Sequence, residues 1–252
     1  MYCYKCEIKS GPLLEVKYYK SLRKRNAKTL TRKKNSSLSS EHQKIANQKR
    51  AERNLQRLIL CNFVPGDYFI RFNSPYKKWT EEEFEKEVKN FFRRIKNRTK
   101  KIGKDFKYIG ICECGKSGTN WHLHICIKKE VFDIVMECWR YPEGIDIRPL
   151  YEKGNFKDLA KYIRKDTSSG KKRIKTSRNL TKPEYNCKRT NKKSLRKLEK
   201  GDAEEVLNNY TKEYSLIEDE RYDNDYTGAN FNFVFMKKNC FAVNRKAKMK
   251  RE

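Results

Sequence analysis

Two of the chain's three histidines, His122 and His124, stand two residues apart in Trp121-His122-Leu123-His124-Ile125-Cys126-Ile127. Such alternation fits a β-strand, whose successive side chains point to opposite faces, so His122, His124 and Cys126 share one face while Trp121, Leu123, Ile125 and Ile127 line the other. Two imidazoles aimed at one place make either an unusual polar face or part of a metal site. The segment Phe106 to Cys114 reads as a second strand, and Gly115 to Asn120 as the turn that joins the two in a hairpin. Opposed residues of such a pair lie about 5 Å apart on one face, which makes Glu113 the candidate third ligand. Two imidazoles and a carboxylate form an open site that Mg, Mn or Zn accepts, and an open site is a catalytic one. A slip of one residue would bring Cys112 and Cys114 to the histidines instead, a thiolate and imidazole set that prefers zinc. Two histidines hydrogen-bonded on a half-exposed strand, with no metal, are the plainer alternative.

A nucleophile comes from the helical spacing of Asn155 to Lys165. Phe156, Leu159, Ala160 and Ile163 make its buried stripe, while Asp158, Tyr162 and Lys165 lie together on a flank. A tyrosine at the edge of a core face usually packs its ring. With Lys165 one turn on, however, Tyr162 has a cation that can stabilise a phenolate or a phosphate oxygen.

The other elements must position these side chains. Pro65-Gly66-Asp67 is a turn signal and Tyr68 to Phe72 a strand. Thr80 and Glu83 make a capping box for a helix whose first turn is acidic, whose end is basic, and whose stripe is Phe84, Val88, Phe91 and Ile95. Val131 to Trp139 reads as helix, Ile145 to Leu150 as strand, Thr167 to Lys193 as basic loop, Ser194 to Tyr210 as a helix broken at Gly201-Asp202, and Asn230 to Phe235 as strand. Strands and helices mix without a regular parallel repeat, which predicts an α+β fold with a central, mainly antiparallel sheet flanked by helices. Residues 1–61 read as a basic N-terminal arm, with no compact core through residue 57 and a basic helix from Ser40, its N-cap, to Leu60. Residues 62–185 are the folded domain and 186–252 a C-terminal extension of helix, final strand and basic tail.

His122-Leu123-His124 followed by Tyr162-Ile163-Arg164-Lys165, with Glu113 ahead of them, resembles the HUH and Tyr-x-x-Lys motifs of rolling-circle replication initiators, the HUH endonucleases. Asn62 to Asp67, Gly144 to Pro149, and Ser177-Arg178-Asn179-Leu180 with Pro183 further resemble replication proteins of phages, plasmids and integrated elements of bacteria. The resemblance covers about residues 62–185. It implies a Rep-type sheet of ferredoxin-like topology in which His122, His124 and Glu113 hold Mg or Mn, with Zn possible. Tyr162 would attack the scissile phosphate of single-stranded DNA at an origin, leaving a 5′-phosphotyrosine and a free 3′-OH, while Lys165 positions the nucleophile or offsets charge. The implied setting is the bacterial cytoplasm, with a host helicase and polymerase as partners. Filamentous-phage relatives carry a second tyrosine one turn away, where this chain has Asp158 and Asp166, so a single-tyrosine enzyme is expected.

Composition agrees with an anionic partner. Lys and Arg number 61 against 32 Asp and Glu, a net charge of +29, and 15 Tyr, 13 Phe and 3 Trp offer faces on which unpaired bases can stack. No apolar run approaches the roughly 20 residues of a membrane span, and no signal-peptide core opens the chain, which reads as a soluble intracellular protein. Nine irregularly spaced cysteines read as reduced thiols, and Cys3-x-x-Cys6 is half of a zinc signature. Gly110-Ile111-Cys112-Glu113-Cys114-Gly115-Lys116-Ser117 has Walker A spacing, yet it runs into a strand where a phosphate-binding loop must open a helix. A zinc-containing nucleic-acid-binding module without catalysis and a P-loop NTPase are thus the alternatives to a nuclease.

Overall fold

The computed structural model describes residues 1–24, 41–74, 79–115, 120–150, 155–165 and 174–238. Ser40, the hairpin turn 116–119, Asp166, the basic stretches 25–34 and 166–173, and the C-terminal tail lie outside these residues. The fold is α+β, with two five-stranded antiparallel sheets and six α-helices among the described residues. It forms two compact units, Gln48–Thr181 and Met1–Asn47 with Lys182–Glu252. No described helix is long and apolar enough to cross a membrane.

In the unit Gln48–Thr181 the strands are β3 (Tyr68–Asn73), β4 (Tyr108–Cys114), β5 (Trp121–Ile127), β6 (Asp146–Pro149) and β7 (Ile174–Thr176), in the order β6-β3-β5-β4-β7. The histidine strand β5 is therefore central. Helix α2 (Glu81–Lys101) has the expected capping box between Thr80 and Glu83, and its stripe of Phe84, Val88, Phe91 and Ile95 is buried. That stripe packs with Ile70, Phe72, Cys112, Trp121, Leu123, Ile125 and Ile127 on one sheet face, joined by Val135 and Cys138 of α3 (Phe132–Cys138). The opposite face carries the polar residues. Strand β4 approaches β5 closely because residue 110 is glycine: a Cβ there would run into the His124 carbonyl oxygen and the Ile125 side chain.

Around this sheet, several residues noted in the sequence act as staples. Asn62, the last residue of α1 (Glu41–Asn62), donates to the Leu58 and Thr181 carbonyls and accepts from the Thr181 amide at 2.8 Å. Buried Asp67 accepts from the Val64 and Lys129 amides, each at 2.9 Å, and Ser177 Oγ accepts from Tyr108 N–H at 3.1 Å. Their roles are in chain tracing, since buried backbone donors need partners.

The second unit corrects two readings. Residues 2–21 are not a coreless arm: they form the hairpin β1 (Tyr2–Ser10) and β2 (Leu13–Ser21) in a sheet of order β8-β1-β2-β10-β9. Its other strands are β8 (Glu184–Arg189), β9 (Tyr214–Asn224) and β10 (Gly228–Lys237). The supposed loop 167–193 contains β7, β8 and the start of α5 (Lys192–Lys200), which Gly201, at φ 97°, separates from α6 (Ala203–Thr211). Leu195, Leu198 and Leu207 of these helices pack on Leu14, Val16, Tyr18, Phe231, Phe233 and Phe235. Cys6 and Cys187, directly opposed on β1 and β8, are joined in a disulfide, so the expectation of reduced thiols fails for this pair; the other described cysteines are not disulfide-bonded. Cys3 and Cys6 cannot share a zinc ion, because residues three apart on a strand face opposite ways and Cys6 is bonded to Cys187.

Candidate active site

The register of the hairpin places Glu113 directly opposite His122 and Ile111 opposite His124. Glu113, His122 and His124 therefore share the polar face. Cys112 turns the other way, into the core with Leu123 and Trp121, and Cys114 packs against that same core, so the cysteine register is overturned. The Walker-like residues Gly110 to Cys114 lie in β4, paired with β5 and, through Gly110 and Ile111, with β7; they are a strand where that motif needs a loop.

Tyr162 reaches this face from α4 (Lys157–Arg164). Leu159, Ala160 and Ile163 bury the helix as the spacing predicts, and buried Phe156, in the left-handed region at φ 49°, precedes its first turn. A left-handed non-glycine residue is costly and persists only where packing fixes it, so the entry of α4 is held by that side chain. Tyr162 OH donates to Glu113 Oε2 at 3.1 Å and lies 3.4 Å from His124 Nε2, while His124 Nε2 and Glu113 Oε2 are 3.3 Å apart. Three reactive atoms thus form a closed triangle. The phenol ring also meets Phe69 of β3 edge-on, with centroids 6.1 Å apart.

Charge tunes each member. Burial pushes the Tyr162 phenol up, the neighbouring Glu113 carboxylate adds to this, and the result is about 12 despite the opposing fields of Arg71 and Arg148. Burial would raise the Glu113 carboxyl as well, but hydrogen bonds from His124 and Tyr162 and the imidazole charge outweigh it and hold it below the usual carboxylate range. His122 falls to about 4, through burial first and then the Arg71 guanidinium, so it is a neutral imidazole at physiological pH.

A divalent ion suits this donor set in part. The 3.3 Å between Glu113 Oε2 and His124 Nε2 is near the ~3 Å that separates adjacent ligands around an ion with bonds of about 2.1 Å. His124 Nδ1 is buried with no hydrogen-bond partner among the described residues, so nothing there fixes which ring nitrogen carries the proton. His122 lies on the same face but has Arg71 Nη2 3.3 Å from Nε2 and 3.5 Å from Nδ1. As placed, no group of three His, Cys, Asp or Glu residues among those described converges tightly enough to hold a metal.

The sequence reading missed two cations and put a third in their place. Arg71 stands opposite His124 on β3 and Arg148 opposite Phe69 on β6; both line a cavity of about 370 Å³ beside Tyr162, together with Asp146, Asp158 and His124. Lys165, the expected cation, caps α4 with its backbone N–H on the Tyr162 carbonyl, and its exposed side chain makes no contact with the phenol. Arg71 was detectable as the one charge in the apolar run Tyr68 to Phe72. Arg148 carried no comparable signal.

An antiparallel α+β unit with a tyrosine set against a carboxylate and an imidazole is thus on the page. Residues 73–194, just under half the chain, match a family model for replication-associated proteins of the ORF2 type. The matched span contains Glu113, His122, His124, Tyr162 and Lys165 and begins just after Arg71. No curated protein and no solved structure matches the chain.

Proposed function

We propose that the unit Gln48–Thr181 nicks and rejoins single-stranded DNA at a replication origin, with Tyr162 as the only nucleophile. The observation that carries this reading is the triangle of Tyr162 OH, Glu113 Oε2 and His124 Nε2, which brings a phenol from a separate helix onto the face where two histidines and a glutamate meet. The replication-associated family match and the net charge of +29 agree with a DNA substrate in a replication setting.

His124, Glu113 and His122 would hold a divalent ion, Mg or Mn before Zn, which when bound supplies a Lewis acid for the scissile phosphate. Arg71 and Arg148, at the wall of the cavity, bind phosphate oxygens and stabilise charge that develops on them. Tyr162 oxygen bonds to phosphorus as the bond to the 3′ oxygen breaks; the phenol loses its proton and the leaving oxygen ends as a 3′-OH that primes synthesis. His124 Nε2 and Glu113 Oε2 are the acceptors within reach of that proton. Rejoining is the reverse displacement by a 3′-OH. Lys165 offsets backbone charge at the end of α4. The setting is a bacterial cytoplasm, where a helicase and a polymerase of the host complete the round.

The test incubates the full chain with labelled single-stranded oligonucleotides and Mn or Mg and resolves the products on a denaturing gel. A covalent adduct that needs the metal and disappears in Tyr162→Phe is expected. An adduct that survives this substitution, or none with any origin-like sequence from the element encoding the chain, overturns the proposal.

A further inference from the structure

The second unit carries an anomaly of charge. From Glu213 to Asp225 the chain has six acidic residues, Glu213, Glu218, Asp219, Glu220, Asp223 and Asp225, against one basic, Arg221, within a protein of net charge +29. This stretch is strand β9, the edge of its sheet, and among the described residues no strand pairs with its outer side. An eleven-residue edge presents a row of backbone donors and acceptors ready to pair. It is not blunted in the usual way, by lysine, proline or shortness.

Its side chains are also unusual for an edge. Leu216, Ile217 and Tyr222 are 44%, 42% and 54% exposed. The pairing with β10 shifts between Val234 and Phe235, opposite which β9 spends one extra residue, Ile217, so a bulge turns this apolar side chain outward. Asp219 and Asp223 fall on the face that α5 and α6 cover, Glu220 and Tyr222 on the other, so acidic groups flank the edge on both sides. Solubility does not account for them, since the chain is already far from neutral.

Charge selects among possible occupants. DNA is repelled by this strand and drawn to the opposite edge of the sheet, where β8 and α5 expose Lys188, Arg189, Lys192, Lys193 and Arg196. A second copy pairing β9 with β9 would oppose carboxylate to carboxylate. We propose that β9 docks an extended, lysine- or arginine-rich segment of a partner protein, which adds to the sheet as a sixth strand through its backbone and meets Leu216, Ile217 and Tyr222 with alternate side chains.

The probe is a fluorescein-labelled ten-residue peptide alternating lysine with valine, titrated with the full chain in about 0.1 M salt, where exposed charges more than ~10 Å apart are screened. Saturable binding is expected, weakened at least tenfold by the triple change Asp219→Lys, Glu220→Lys and Asp223→Lys, which touches no residue of the Tyr162 site. A second peptide of the same sequence and charge, N-methylated at alternate residues, cannot pair along its edge and should also bind at least tenfold more weakly. This arm needs no change to the protein. Equal binding of both peptides reduces the contact to ion pairing and overturns the proposal, as does undiminished binding to the triple variant. Binding that appears only after truncation beyond Lys238 assigns the strand to the chain's own tail, and a dimer dissolved by the triple change assigns it to a second copy; either result also overturns it.

Discussion

Tyr162 and Tyr210 each donate a phenolic hydrogen bond to a glutamate on a β-strand, Glu113 in one unit and Glu7 in the other, and everything around the two pairs differs. Tyr162 is 38% exposed beside a cavity, with His124, Arg71 and Arg148 acting on it. Tyr210 packs its ring on Phe235, has Lys5 Nζ 5.0 Å from its centroid, and shares its glutamate with that lysine at 2.9 Å. Burial and the carboxylate raise both phenols. The lesson is that a tyrosine–carboxylate pair does not by itself mark a reactive site. Imidazoles that can take a proton, arginines that can take phosphate oxygens, and space for a substrate separate the first pair from the second.

The sharpest way to break this contrast is the paired substitution. Tyr162→Phe should leave no detectable adduct, whereas Tyr210→Phe should nick at the wild-type rate when assayed well below its melting temperature. Next in size, Glu113→Gln and His124→Ala should each slow metal-dependent nicking by ~100-fold or more, on the scale of losing one positioned electrostatic group, and raise the metal concentration needed for half-maximal rate. Smaller still, Arg71→Ala should cost ~10- to 100-fold in single-turnover rate, and Lys165→Ala much less. If Lys165→Ala is the more damaging, the cation that serves the phenol is the one the motif suggests, and DNA binding must rearrange the end of α4.

Why one site was legible and its surroundings were not follows from the distance along the chain. Glu113, His122 and His124 come from one hairpin, where alternation and a short turn nearly dictate the neighbours, and α2 announces itself through its cap and its stripe. Arg71 and Arg148 arrive through pairings of β3 with β5 and with β6, which no local pattern encodes. Lys165 misled because spacing on a helix says which side chains share a flank, not which of them faces the sheet. Strand β1 was missed for a related reason: Lys5, Glu7 and Lys9 occupy the positions that alternate with its apolar residues and look like a solvated face, but that face is the one α6 covers through Tyr210. Its sheet partners β8 and β10 lie most of the chain away.

The smallest expected effect concerns the second pair and acts on stability. Burial would raise the Glu7 carboxyl, but hydrogen bonds from Tyr210 and Lys5 and the charge of Lys5 and Lys9 outweigh it, so the folded value lies below 4.5. A depressed carboxylate stabilises the fold above its unfolded value, and that contribution disappears as pH falls through the folded one. Melting of the wild type should therefore steepen its decline with pH below about 4.5, the ordinary carboxyl value for this residue. Tyr210→Phe removes one donor from a carboxylate that is only 23% exposed, which should cost about 1 to 2 kcal/mol at neutral pH and flatten the acid limb. Tyr162→Phe relieves Glu113 of a donor in an open cavity where other cations remain, so its melting temperature should move less. A larger loss of stability at Tyr162 than at Tyr210 would mean that the site's tyrosine is held for packing and not for chemistry.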